Sequence, residues 1–394
     1  MSAASAGALT SEAAGAAPPE AAGGGPPQRP EPLWSQRIAY DPGAVPRPFG
    51  LENTGVICYF NGFLQALASC PAFVAAAVAR RDYLGRTETG ACLYNFLRAV
   101  EESSRDPAFV VDPSHSRRVL QALVADLGRR RPRAAFGQGM ESATEALVHF
   151  LDMLEPEGDP DPPLARHFTV LVKNYLWCAG CAGARSKSAG ADTELARAKR
   201  GVVSEVTDTL SQYNYFHYDE APPATPQEFS DRLELYPGVV EDYVCERCTA
   251  AGRPRSRTCK VFRVTDASSV VVVVFNQYQG HRLRFFPPTI TVAGGKYIRV
   301  AQIEHSGSLA GGHYWTAAYR QPPAHHKKGV SPVVPFELND AHFRPAQLQP
   351  QPTVYAVFYH YVCPADAKMA GASPAAAATA ATDAATTAAA AATT

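Results

Sequence analysis

Net charge is the first thing this 394-residue chain lacks: Lys plus Arg and Asp plus Glu number 37 each. That balance gives no electrostatic reason to expect a nucleic-acid or anionic-membrane partner. Long branched apolar runs are missing too. A run such as Val270–Phe275 is far too short to cross a bilayer, and the start of the chain has neither the basic residues nor the continuous apolar core of a signal peptide. There is no internal repeat. An even, framework-like set of cysteines is also absent. Nine are present, four of them in two close pairs, a distribution that suits metal ligation and a free thiol better than disulfides. These absences together predict a soluble protein of a reducing compartment, cytoplasm or nucleus, without a membrane or nucleic-acid partner.

What is present suffices for a large folded core, with 46% hydrophobic and 19% charged residues. The two ends stand apart from it. Residues 1–45 are dominated by Ala, Gly and Pro, and 364–394 form an Ala/Thr-rich tail. Neither has the aromatic and branched side chains needed to offset the entropy of ordering. Between them the periodicity is helical first and strand-like later. Phe60, Phe63, Leu64 and Leu67 recur at i, i+3, i+4 and i+7, and Leu147, Phe150, Leu151 and Leu154 share a side of a second helix. The β-branched run Val270–Phe275 reads as a strand buried on both faces, and 297–304 and 354–361 are further strands. Helices followed by strands predict an α+β architecture.

A Gly- and Asn-rich turn, Gly50 to Gly55, leads directly into the first helix and puts Cys58 at its N-terminus. Unpaired N–H groups and the helix dipole there favour a thiolate and can hold the oxyanion of acyl transfer. Taken alone, such a cysteine is more often a buried structural thiol. A second feature changes that balance: the Gly-rich turn Gly307 to Gly312 presents His313, which can serve as a general base. Further on, Asn339 and Asp340 offer a side chain to orient an imidazole, although Asn-Asp by itself is a turn signal. Cys178-Ala-Gly-Cys181 and Cys245-Glu-Arg-Cys248 are two knuckles able to give four thiolates to one structural zinc.

These residues resemble the ubiquitin-specific protease family of papain-like deubiquitinases over about 48–361. The Cys box Gly-Leu-x-Asn-x-Gly-x-x-Cys-Tyr-x-Asn is matched by Gly50, Leu51, Asn53, Gly55, Cys58, Tyr59 and Asn61. The His box is matched by Tyr297 to Gly307 and then Gly311, Gly312, His313, Tyr314 and Tyr319, and a last strand by Val354 to Tyr359.

The resemblance implies a thumb, palm and fingers layout, with a helical thumb at about 46–165, fingers at about 166–260 and a palm at about 261–363. It implies Cys58 as nucleophile, His313 as general base, Asn339 as its orienting partner and Asp340 as the assisting neighbour. Asn53 would be the side-chain donor to the oxyanion, and Cys178, Cys181, Cys245 and Cys248 the zinc ligands. No organic cofactor is expected. The implied partners are ubiquitin and ubiquitinated proteins, met by a monomer.

The sequence departs from the family where Val56-Ile57 replaces Asn-Thr, and where Glu141 to Ala146 replaces Gln-Asp-Ala-x-Glu-Phe. A polar insertion also lies around 191–200. Competing readings are an inert ubiquitin-binding scaffold and a protease for another ubiquitin-like modifier. A zinc-dependent nucleic-acid binder rests only on Arg129, Arg130, Arg131 and Arg133, which a solvated loop explains as well.

Overall fold

The computed structural model describes residues 37–130, 136–137, 141–154, 164–178, 206–213, 215–218, 225–236, 239–241, 244–254, 258–275, 286–308, 311–322, 333–348 and 353–364. All of them belong to one unit, Leu33–Thr394. Residues 1–36, the tail from 365, Cys181, the 191–200 stretch, Arg131 and Arg133 lie outside the described residues. Residues 37–45, which composition assigns to the arm, are fastened to the fold. Arg37 donates to the Ala267 carbonyl and pairs with Asp266 at 3.1 Å, and the Tyr40 amide donates to Tyr361.

Helices come first, as the periodicity predicts: α1 (Cys58–Leu67), α2 (Pro71–Val78), α3 (Arg81–Leu84), α4 (Glu88–Arg105), α5 (His115–Arg130) and α6 (Ala143–Met153). Helix α1 is buried along its whole length, with Phe60, Phe63, Leu64 and Leu67 in the core. Each such side chain contributes about 1.5–3 kcal/mol by leaving water. Pro71 opens α2 at a position where its missing N–H costs nothing, and the Thr87 hydroxyl caps α4 by accepting from the Gly90 amide. Ser142 and Glu145 cap α6 reciprocally, each side chain accepting from the other's amide at 3.0 Å. The unfamiliar residues at the start of that helix are thus a capping box. Among the described residues no single helix is long and apolar enough to cross a membrane.

The strands that follow form two sheets. In the first, β1 (Val170–Cys178), β2 (Val206–Tyr213), β4 (Val239–Glu241) and β5 (Thr258–Ala267) lie antiparallel in the order β2-β1-β5-β4. The larger sheet comprises β3 (Phe216–Tyr218), β6 (Val270–Phe275), β7 (Thr289–Val292), β8 (Gly295–Ser308), β9 (Gly311–Arg320), β10 (Val334–Asn339), β11 (His342–Pro345) and β12 (Val354–Pro364). It runs β11-β10-β9-β8-β12-β6-β3, with β7 beside β8, and only the β3–β6 pair is parallel among the described residues. Two short helices, α7 (Pro226–Glu234) and α8 (Glu246–Ala250), interrupt the strand half.

Strand β6 explains the two-sided core. Val270, Val272 and Val274 join the cluster that holds α1, while Val271, Val273 and Phe275 pack on the other face with Phe229 and Leu233 of α7. The α+β prediction and the doubly buried strand both hold.

The helix α1 lies against β9, where the Thr316 hydroxyl donates to the Gly62 carbonyl at 2.7 Å. At its far end the buried Arg320 guanidinium donates to the Gln65 carbonyl and side chain and to the Ser69 hydroxyl, at 2.7–2.9 Å. This seam fixes the helix on the sheet, and with it the place of Cys58 relative to β9.

Candidate active site

Cys58 is the first residue of α1 and is 2% exposed. Ile57 sits at the N-cap with no side-chain bond to the helix, so the first-turn N–H groups are not taken by a hydroxyl cap. Backbone hydrogen bonds from Tyr314, Tyr59 and Cys58 itself pull the thiol down, but burial pushes it up by more, and the Asp340 carboxylate adds to the rise. The helix end alone predicts an easily formed thiolate. The structure instead holds the thiol above its ordinary value, because removal from water outweighs the backbone donors.

A histidine is next door. Tyr314, whose backbone reaches the thiol, follows His313 on β9. The His313 Nε2 lies 2.7 Å from the Asn339 Oδ1 and 3.9 Å from the nearer Asp340 carboxylate oxygen, and the ring stacks on Trp315. Behind it, the His305 ring packs tilted against Tyr314 at 4.3 Å between centroids; burial and the neighbouring His313 hold its pKa below the ordinary value.

Asn339 ends β10, and Asp340 begins the tight turn into β11 with φ 51, a left-handed conformation few side chains other than Asn and Asp adopt. The turn is tied to the Cys box. The Asp340 carbonyl accepts from the Leu51 amide at 2.8 Å, and a Cβ on Gly50 would lie 2.3 Å from the Ala341 carbonyl oxygen. Only glycine permits that approach. The Asp340 carboxylate then accepts from Asn53 Nδ2 at 2.8 Å and from Asn61 Nδ2 at 2.7 Å.

The five residues singled out in the sequence therefore form one connected constellation. Cys58 joins through Tyr314, and His313, Asn339, Asp340 and Asn53 join by direct contacts. Asn53 is held at both ends, since its Oδ1 accepts from the Gly55 amide at 3.2 Å. Asn61 is the member that the sequence reading left without a role. A polar residue three positions after Cys58 on a fully buried helix was the available signal.

The Gly-rich turn has a reason in its own geometry. A Cβ on Gly307 would lie 2.4 Å from the Gly311 carbonyl oxygen, and one on Gly312 would lie 2.3 Å from His305 Nε2. The β8–β9 hairpin itself demands glycine there.

At the far end of β1, Cys178 meets Cys245 and Cys248 of the α8 turn. Their sulfur atoms lie within 4.8 Å of one another, all three side chains are buried, and the Cys178 and Cys248 sulfurs are 3.6 Å apart. A tetrahedral zinc with bonds of about 2.3 Å spaces its sulfur ligands by about 3.8 Å, so the donor set fits that ion.

The chain matches the family model described as ubiquitin carboxyl-terminal hydrolase over residues 49–359. No curated protein sequence matches it. Among solved structures it is similar to the Ubp8, Sgf11, Sus1 and Sgf73 DUB module of SAGA bound to monoubiquitin, at 12% identity and TM-score 0.56, covering 84% of this chain and 74% of that one. The same module bound to ubiquitin aldehyde matches at 12% identity and TM-score 0.55, covering 84% and 73%. A yeast form of it with an Sgf73 mutant matches at 13% identity and TM-score 0.55, covering 84% and 72%. At these identities the likeness is one of fold.

Proposed function

The chain belongs to the ubiquitin carboxyl-terminal hydrolase family of cysteine-type deubiquitinating enzymes, and from that premise we propose that Cys58, His313 and Asn339 cleave the bond at ubiquitin's C-terminal glycine. The contact that carries this reading is the 2.7 Å bond between His313 Nε2 and Asn339 Oδ1. An amide oxygen only accepts, so Nε2 carries the hydrogen and Nδ1 is left with its lone pair. Nδ1 takes the Cys58 proton, which a buried thiol does not release unaided.

The sulfur then bonds to the glycine carbonyl carbon, and the carbonyl electron pair moves onto oxygen. The Cys58 amide and the second hydrogen of Asn53 Nδ2 serve that oxyanion. When it collapses, the bond to the lysine nitrogen breaks and the imidazolium returns its proton to the departing amine. Water, deprotonated by His313, attacks the thioester and frees the ubiquitin carboxylate and the thiol. Asp340, close to Nε2, balances the imidazolium in both steps.

Cys178, Cys245 and Cys248, together with Cys181, would hold a structural zinc that ties β1 to the α8 turn in the fingers. On this reading residues 46–363 form the catalytic domain, and a monomer in a reducing compartment acts on ubiquitinated proteins. The test is covalent labelling by ubiquitin carrying a C-terminal electrophile. A ubiquitin-sized adduct on the native chain that disappears in Cys58→Ala is expected. Folded, zinc-loaded protein that forms no adduct would overturn the proposal, pointing to an inert binder or to another modifier.

A further inference from the structure

We infer that Asn61 is a positioning residue for the reaction, acting through Asp340. The inference rests on the reading above that Cys58 and His313 do the chemistry. Asn61 is 2% exposed and lies one turn beyond Cys58 on α1. Its Nδ2 donates to Asp340 Oδ1 at 2.7 Å and to the Glu52 carbonyl at 3.3 Å, so both of its hydrogens are committed. It does not touch the thiol or the imidazole through any of these bonds.

The consequence lies in the other carboxylate oxygen. With Oδ1 pinned by Asn61, Oδ2 is turned to two groups at once, the Asn53 amide at 2.8 Å and His313 Nε2 at 3.9 Å. One carboxylate thus aligns the amide proposed to meet the oxyanion and supplies negative charge beside the imidazole that becomes cationic. Asp340 sits on a two-residue turn in a left-handed conformation, and its side chain is only 15% exposed. Without the Asn61 donor its carboxylate is free to rotate toward either partner, and the two halves of the site lose their common reference. Asn61 also braces the Cys box through Glu52, whose amide is held by the Pro113 carbonyl at 2.8 Å. A helix residue thereby spans the loop that carries Asn53 and the turn that follows Asn339.

The test uses the full chain and ubiquitin with a C-terminal fluorogenic amide. Asn61→Leu keeps the side-chain volume and removes the donor. It should lower kcat about tenfold to a hundredfold, the range for losing a hydrogen bond to a charged group, with KM within about twofold. Asp340→Ala alone and combined with Asn61→Leu gives the deciding comparison: the double variant should lose no more than Asp340→Ala does. Additive losses, or an unchanged kcat in Asn61→Leu, would overturn the inference.

If Asn61→Leu does not fold, Asn61→Asp serves in its place. It sets a second carboxylate against Asp340, so activity should fall at neutral pH and recover toward acid as the pair takes up a shared proton. An unmoved pH profile counts against the role. A native chain that fails to turn over the ubiquitin amide defeats the proposed function itself. The pH dependence of Cys58 alkylation by iodoacetamide then decides Asn61 separately: a displaced profile in the variant supports positioning, and superimposable profiles refute it.

Discussion

The two ends of α1 are finished in opposite ways. At the C-terminal end a buried guanidinium closes the helix: Arg320 gives hydrogen bonds to the Gln65 carbonyl, the Gln65 side chain and the Ser69 hydroxyl, and Gln65 in turn donates to the Phe49 carbonyl. At the N-terminal end Ile57 offers no cap, and the first N–H groups face the Cys58 thiol. The C-terminal end uses its polar groups to hold the helix still. The N-terminal end keeps the donors that the proposed reaction assigns to its oxyanion, and it is steadied from outside by the Asp340 turn. Stability and chemistry are thus separated by the length of one helix, and substitutions at the two ends should move different observables.

The largest effect is expected at Arg320. Its guanidinium is wholly buried, burial pulls its pKa down to about 9, and the Ser69 hydroxyl and Gln65 side chain depend on it. Arg320→Ala should cost roughly 3–5 kcal/mol through orphaned polar atoms and the cavity left behind. The urea midpoint should fall accordingly, while kcat per folded molecule stays near the native value. A drop in kcat without a drop in stability would erase the distinction between the ends. Arg320→Met, which fills part of the volume and removes the charge, should lose less.

Acid tests the same end by another route. His360 lies against the start of α2: its Nδ1 hydrogen goes to the Tyr361 carbonyl, and its Nε2 faces the Ala72 amide at 3.4 Å. Protonation would set one N–H against another. Burial, chiefly, holds His360 down to about 4, and His167 nearby is likewise about 4. The folded state therefore excludes protons that the unfolded chain binds below its ordinary histidine value of about 6.5. Stability is complete above about pH 6.5 and is lost as the pH falls toward 4, by about 3 kcal/mol for a histidine so placed. Denaturation midpoints at pH 7 and pH 5 measure this. His360→Gln, which keeps an acceptor for the Ala72 amide, should shrink the difference and leave the share that His167 carries; an equal slope in the variant would assign the acid sensitivity to other groups.

Much of this was legible in the sequence, for physical reasons that differ from site to site. Strand β6 could be read because five consecutive valines admit almost no other buried conformation, and the α1 face because its large residues keep a helical period. Cys58, His313, Asn339 and Asp340 could be read as candidates because each is a reactive or polar residue beside a turn. The seam at Arg320 could not. A single arginine at the end of a strand looks like a solvated residue, and its burial follows from how β9 meets α1, a contact between residues 255 positions apart. The rise of the Cys58 thiol was hidden for the same reason, because desolvation depends on packing from distant segments. The contacts of 37–45 were hidden too, since the partners Asp266, Ala267 and Tyr361 lie more than 200 positions away and composition carries no sign of them.

The smallest effect should come from Gly55, and its smallness is informative. Gly55 adopts φ 143, which side chains avoid, yet a Cβ there would meet nothing within 4 Å. Gly50, five residues earlier, is the opposite case, where a Cβ would strike the Ala341 backbone. Gly55→Ala should therefore cost only the backbone term, about 1 kcal/mol, and the strain falls on the segment whose amide holds the Asn53 side chain. A few-fold loss of kcat with an almost unchanged melting temperature is the expected outcome, since the uncapped end of α1 contributes to orientation more than to stability. A large loss of stability would show that the Cys box turn is part of the structural seam after all, and the two ends of the helix would no longer be separable.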